Sequence, residues 1–386
     1  MKSLRCGSFH FLILFLLSKF CSLEAQLSEF DIRNLSGVTE IKLSELGFSD
    51  IEYIPLETNQ SCLLTRITDL RAVNDFFLVQ YFTTIFKFDK TGKFITKIGT
   101  EGRGPNEFTV VHDVDIDPKN GNIYLVSGWQ RKFFVYSKDG RFLRTFQSPV
   151  NTTHFRVTDN GILCYSINTF SNIDWSFNLI DTTGRLIKRF ANYYRWNLTH
   201  KYAFVFQHEN IFYRFNNMLF KKEVYSDTVY LFDNYDFKPH LIINAGQRLI
   251  TPELRTELAP EQIMEKYISP INIFEFGSFI YYEFVVNRSA FGFIGLGENS
   301  FKRLFNLDQG FVNDLDCGPN IHPVTTWDDN TIISWIDALD LKKHIASEIF
   351  RNSKPKYPEK KVALEKLADG LNETDNPVLV IIRLKE

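Results

Sequence analysis

Histidine carries most of the chemistry this chain could do, and four of the eight histidines recur in one setting. His112, His154, His200 and His322 each stand eight to eleven residues ahead of an apolar run, beginning at Ile123, Ile162, Ile211 and Ile332. Arg66 stands ten ahead of Phe76 in the same way. If those runs are the second strands of repeated small sheets, all five residues lie near the entries of the first strands. Imidazoles gathered there would offer hydrogen-bond donors to a ligand. Alternatively, His112, His154 and His200 would hold a Zn²⁺-like divalent metal with one position open, and His322 would approach from the far side. The plainer alternative is that the rings cap backbone groups, because the period of two in a strand leaves side-chain direction undecided.

Other motifs are excluded more firmly. There is no G-x-S-x-G, no H-E-x-x-H and no framed pair of carboxylates. Asp113, Asp115 and Asp117 alternate like the start of a calcium loop. Pro118 and Tyr124 then occupy the places where such a loop needs Gly and Glu. Gly102-Arg103-Gly104-Pro105-Asn106-Glu107 is not followed by Gly-Lys-Ser/Thr, so it does not cradle phosphate. It suits a structural crossover instead: Gly102 and Gly104 allow unusual backbone angles, Pro105 stiffens the path, and Glu107 can accept hydrogen bonds from loop N–H groups. Trp129, Trp175, Tyr193, Tyr194 and Trp196 fall in loops, where they could stack on sugar rings or peptides or simply pack between sheets.

The elements that must position these residues repeat. Ile85–Gly99, Phe133–Phe146 and Phe177–Phe190 each read as an alternating strand, a D/S-x-x-G turn and a second alternating strand. Gly92, Gly140 and Gly184 lie 48 and 44 residues apart. A four-stranded unit recurring at that period is the mark of a β-propeller. The expected fold is all-β: a six-bladed β-propeller of four-stranded antiparallel blades with two helical insertions. The blades centre on residues 67–98, 111–146, 155–190, 203–244 and 271–305, and the sixth takes 323–327, 331–335 and 378–384. In the fourth, 203–206 is read as the first strand and 211–215 as the second. The sixth is one strand short, and residues 51–57 supply it, so both chain ends close the ring and leave neither sheet edge open. The insertions run from Thr251 to about Tyr267 and from Asp337 to about Ala368; Thr251 caps the first, with Pro252 at its first helical position. Lysines of the second alternate with Glu348, Glu359 and Glu365, the pattern of a solvated face.

Composition agrees. Of 386 residues, 44% are hydrophobic and 15% aromatic, with 38 Phe, which suits pleated surfaces. Lys plus Arg number 44 against 46 Asp plus Glu, a balance that argues against nucleic acid as partner. Lys2, Arg5 and the apolar stretch Phe9–Leu17 read as an export signal, too short to span a bilayer core of about 30 Å. Cleavage after Ala25 would leave residues 26–386 as one domain in the periplasm or at the cell surface. Cys21 offers lipid attachment as an alternative, although Phe20 is large for such a site. Cys62, Cys164 and Cys317 are odd in number and widely spaced, which reads as buried thiols instead of a disulfide frame.

Residues Gly99–Phe146 resemble an NHL-type propeller repeat, through G-x-x-G-x-G-P-x-E-F, N-G-N-I-Y-L and F-x-V-Y-x-x-D-G-R-F. With Tyr53–Thr58 and Asn376–Leu379, the chain from about residue 40 onward is similar to exported six-bladed propeller proteins of Gram-negative bacteria. The resemblance implies fold and export, not a reaction, though NHL-type lyases place metal-binding histidines at the same mouth. Two functions are carried forward. One is an exported module binding a small-molecule, glycan or peptide ligand or a protein partner. The other is a metal-assisted lyase or hydrolase.

Overall fold

A computed structural model describes residues 27–34, 37–73, 75–198, 206, 208–296 and 301–385. Alternating apolar residues pair as antiparallel strands into six blades. After β1 (Ser28–Asp31) and β2 (Phe48–Pro55), blade one is β3 (Asp69–Val73), β4 (Phe76–Tyr81), β5 (Thr84–Asp89) and β6 (Phe94–Ile98). Blade two is β7 (Asp113–Ile116), β8 (Ile123–Ser127), β9 (Lys132–Tyr136) and β10 (Phe142–Gln147). Blade three is β11 (His154–Thr158), β12 (Gly161–Tyr165), β13 (Trp175–Ile180) and β14 (Leu186–Ala191).

Blade four corrects the sequence reading. Its inner strand is β15 (Asn210–Phe215), followed by β16 (Met218–Glu223), β17 (Thr228–Asp233) and β18 (Asp236–Asn244). The run at 211–215 is therefore first in its blade, not second. Residues 203–205 of the expected first strand lie outside the described residues, and Phe206 is not in a strand. The overlooked strand is β16, whose Lys221-Lys222-Glu223 end is buried despite its charge. Lys222 survives there by donating to the carbonyls of Glu223 and Ser226.

Two short helices, α1 (Pro252–Glu257) and α2 (Pro260–Lys266), lead to blade five: β19 (Ser269–Phe276), β20 (Phe279–Val286), β21 (Ser289–Leu296) and β22 (Lys302–Asn306). Thr251 caps α1 by accepting from the Leu254 amide at 3.4 Å. Blade six takes β23 (Thr325–Asp328), β24 (Thr331–Ile336) and β25 (Val378–Leu384), with α3 (Ala338–Ala346), α4 (Glu348–Asn352) and α5 (Pro358–Asp369) inserted between β24 and β25. Its fourth strand is β2, paired with β25 from Phe48↔Leu384 to Pro55↔Val378. Both chain ends thus close one blade.

The N-terminal segment also straps the outside. Strand β1 runs parallel to β18, Val38 bridges Leu304 of β22, and Lys42 bridges Val312. This covers edges that blades four and five would otherwise expose. Among the described residues no strand covers the outer edges of β6, β10 and β14, and Lys97, Arg144, Lys188 and Arg189 on them discourage edge-to-edge pairing.

Strand direction assigns every loop to a face. Inner strands begin on one face, called upper here. The links between blades and between second and third strands lie there too. The D/S-x-x-G turns lie on the lower face, with Gly92, Gly140 and Gly184 at φ +84°, +84° and +90°. A side chain at Gly184 would meet the Gln147 carbonyl oxygen at 2.1 Å, so the turn needs glycine twice over. Both helical insertions stand on the upper face. The core lies between blades, where apolar clusters join the facing sheets.

Candidate binding mouth

Six inner strands surround the central channel. On its blade one to four side the channel is filled by charge. Asp113 of β7 accepts from Arg156 Nη1 at 2.7 Å, Arg71 Nη2 at 3.2 Å and the Phe155 amide at 2.9 Å. Asp115 holds Arg214 bidentately at 3.0 and 2.8 Å and accepts from the Val157 amide at 2.7 Å. The same arginines donate to the carbonyls of Val114, Phe155 and Val157. Carboxylates and guanidinium groups together satisfy the open edges of β7 and β11, which no further strand among the described residues pairs. Arg214 holds the Asp115 carboxyl below the usual carboxylate range, overcoming the opposing effect of burial. Asp117, third in the alternating run, instead caps the next turn through Lys119 N and Asn120 Nδ2.

Above this floor lies a mouth of histidines. His112 Nδ1 accepts from the Gly128 amide at 3.1 Å, so the proton of its neutral ring sits on Nε2. Its ring meets the edge of Trp129 at 5.3 Å. His154 begins β11, and its Nδ1 is buried without a hydrogen-bond partner among the described residues. His208 stands two residues before β15. Burial lowers the pKa of all three, and His154 lowers His112 and His208 further, so the three neighbours favour the neutral state. Asp69 and Arg71, joined at 2.6 Å, complete the wall and act electrostatically on His154.

The predicted set is brought together only in part. His112 and His154 share the mouth. His200 lies outside the described residues. It was placed at an inner-strand entry by taking 211–215 as a second strand; with that strand first, the blade-four entry belongs to His208. Counting β16 would have found it. His322 lies in the link between blades five and six, where burial lowers its pKa against the opposing influence of the Leu307 backbone and Asp308. Arg66 is on the rim, its guanidinium 4.4 Å from the centre of the Phe82 ring. In the crossover, Glu107 accepts from Gly104 N at 2.7 Å, and Lys132 Nζ donates to Pro105 O. A side chain at Gly102 would strike Glu107 Oε2 at 2.0 Å.

Exposed aromatics edge the same face. Phe82, Trp129 and Phe170 lie in the links between second and third strands of blades one, two and three, at 51%, 74% and 61% exposure. The opposite side is walled by helices. Arg255 of α1 is fully buried, bonded to Glu209 and Tyr225 and 4.1 Å from the Trp196 ring centre. Glu209 also accepts from Tyr165 OH at 3.0 Å and the Asn168 amide at 2.8 Å. This buried pair anchors the insertion beside His208. The side-chain amides of Asn168 and Asn210 are buried nearby with no partner among the described residues.

A family profile described as a domain of unknown function, DUF4934, matches residues 27–383. The chain belongs to the DUF4934 family. A comparison with curated proteins finds no match. Among solved structures, this DUF4934 chain is similar to a Bacteroides fragilis protein whose name proposes export. Identity is 18%, with 93% of this chain and 99% of that one covered and a TM-score of 0.71. It is also similar to a DUF4221 family member from Bacteroides vulgatus, at 11% identity, 88% and 97% coverage and a TM-score of 0.51. Both likenesses concern fold. Among the described residues of the DUF4934 chain, no group of three or more His, Cys, Asp or Glu is placed to hold a metal ion. No helix there is long and apolar enough to cross a membrane.

Proposed function

We propose that the chain is an exported binding protein that holds its ligand at the upper mouth, on the open arc of blades one to three. One observation carries this: neutral, half-buried imidazoles and exposed aromatic rings share one face that helices wall on the other side. His112 Nε2–H is a donor, and flat rings at Phe82, Trp129 and Phe170 offer stacking surfaces. Such a combination suits a ligand rich in acceptor oxygens with weakly polar faces, as in a short glycan or a peptide. Export rests on the charged and apolar N-terminal residues of the sequence. The ion-paired floor lies beneath the mouth on the blade one to four side.

A screen of the secreted form against glycan and peptide arrays tests the proposal, run beside Trp129→Ala. Binding that the variant loses supports it; binding that ignores the variant counts against it. The metal-assisted lyase or hydrolase reading needs a third ligand beside His112 and His154. Stoichiometric zinc in purified protein, lost in His154→Ala, would favour that reading instead.

A further inference from the structure

The outer hairpins of the first four blades share an irregularity, and one departs from the rest. In blades one to three the fourth strand carries one unpaired extra residue beside the turn: Ile95, Leu143 and Ile187. All three are exposed aliphatics. In blade four the extra residue has moved up the strand, between Pro239 and Leu241, and it is His240. A bulge re-aims the side chain it carries. Here it turns an imidazole across the seam to blade five, where His240 Nε2 lies 2.8 Å from Glu275 Oε1.

Glu275 is mostly buried, at 13% side-chain exposure, and Tyr213 OH donates to the same oxygen at 2.8 Å. Burial and the neighbouring Glu275 raise the Tyr213 hydroxyl well above its ordinary pKa, so it donates to the carboxylate as a neutral phenol. Among the described residues no Lys or Arg lies within 4.0 Å of this carboxylate, and Oε2 has no hydrogen bond there. A carboxylate that is mostly buried and faces no Lys or Arg gains from a cationic partner. Beside it opens a small cleft with Ser28 and Ser278 on its polar side and Phe30, Leu241 and Ile280 behind. Its empty volume is about 280 Å³ including the open mouth, below the size that takes a whole drug-like ligand.

We propose that this cleft binds a primary ammonium group, with Glu275 Oε2 as its counter-charge. In the neutral tautomer that donates Nε2–H to Glu275, His240 offers Nδ1 as an acceptor, and the serine hydroxyls offer two more. Three N–H donors on a short apolar arm match that set. The cleft opens beside the β19–β20 turn, on the lower face, so it is separate from the mouth. The ammonium group comes either from a free small amine or from the tip of a lysine side chain.

The test is a ligand-observed NMR titration of the full secreted chain in fixed sodium chloride. The probes are methylammonium, Nα-acetyl-lysine amide and tetramethylammonium. Saturable methylammonium binding is expected, weakened about tenfold or more in Glu275→Gln, which keeps an acceptor but loses the charge. Ser278→Leu, at an exposed turn, should block the cleft without disturbing the fold and gives a second reading if the glutamine variant fails to fold. Trp129→Ala should bind methylammonium normally. Tighter binding of the lysine derivative assigns the occupant to a side chain; preference for methylammonium assigns it to a free amine. Three results overturn the proposal: no saturable methylammonium binding, equal binding by tetramethylammonium, or unchanged binding in both cleft variants.

Discussion

Asp113→Ala strikes the floor beneath the mouth. The carboxylate is 3% exposed and is bonded to two guanidinium groups and the Phe155 amide. Removing it leaves Arg156, itself 10% exposed, with no carboxylate at hydrogen-bond distance among the described residues, and strands a backbone donor. Breaking a buried pair from one side costs about 3–5 kcal/mol. A chain of this length unfolds with an entropy of about 0.7–0.8 kcal/mol per kelvin, so the melting midpoint should fall by about 4–7 °C. Asp113→Asn, which keeps an acceptor for Phe155 N, should lose less. The double variant Asp113→Ala/Arg156→Met should recover part of the loss, since replacing both charges with apolar groups is often neutral. Calorimetric melts of wild type, Asp113→Ala, Asp113→Asn, Arg156→Met and the double variant at one pH give the comparison. A drop below about 1 °C for Asp113→Ala, or strictly additive losses in the double variant, would refute the view that the floor is a coupled ionic lattice.

Deleting residues 376–386 removes β25, where Val378, Leu379, Val380, Ile381 and Ile382 are at most 2% exposed. At about 1.5–3 kcal/mol per side chain the loss rivals the stability of a whole domain, so no cooperative melt should remain; a near-normal midpoint would contradict closure by both ends. Burial raises the Glu283 carboxyl from 4.5 to about 7, while Tyr281 OH bonds the ionised form. A raised folded pKa gives stability that is fully present below 4.5 and lost as pH climbs through 7. Glu283→Gln should therefore gain up to about 3 kcal/mol at pH 8 and little at pH 4.5, read by paired melts. N-terminal sequencing of protein from a periplasmic or extracellular fraction should begin near Gln26; an intact Met1 in the cytosol would contradict export, and a lipidated Cys21 would move only the cleavage site.

Blades one to three were legible because each carries its turn glycine and its alternating strands in register. Blade four was harder. Its outer turn uses Asn234-Tyr235 at φ +46° and +64° in place of D-x-x-G, since Asn tolerates the left-handed region that tight hairpins need. Its second strand hides two lysines and a glutamate among buried positions, where no apolar alternation marks it. That miss displaced the expected mouth histidine from His208 to His200. Closure through 51–57 was readable by counting strands, because five full blades left three strands and one apolar run. Arg71, Arg156 and Arg214 were not readable as channel residues. Their partners sit one or two blades away, and nothing local marks which side chains of an inner strand meet across the channel. Asp113 and Asp115 drew notice as a failed calcium loop. Their role followed only once the edge amides of β11 were seen to need acceptors.

The central claim is that the upper mouth on blades one to three binds a ligand. Its most direct test is calorimetric titration of the best array ligand into wild type, Trp129→Ala and His154→Ala. Each substitution should weaken binding by about 2 kcal/mol, roughly thirtyfold in Kd, with the melting midpoints of the free proteins little changed. Equal affinity in all three proteins would contradict the account and move the site elsewhere on the ring.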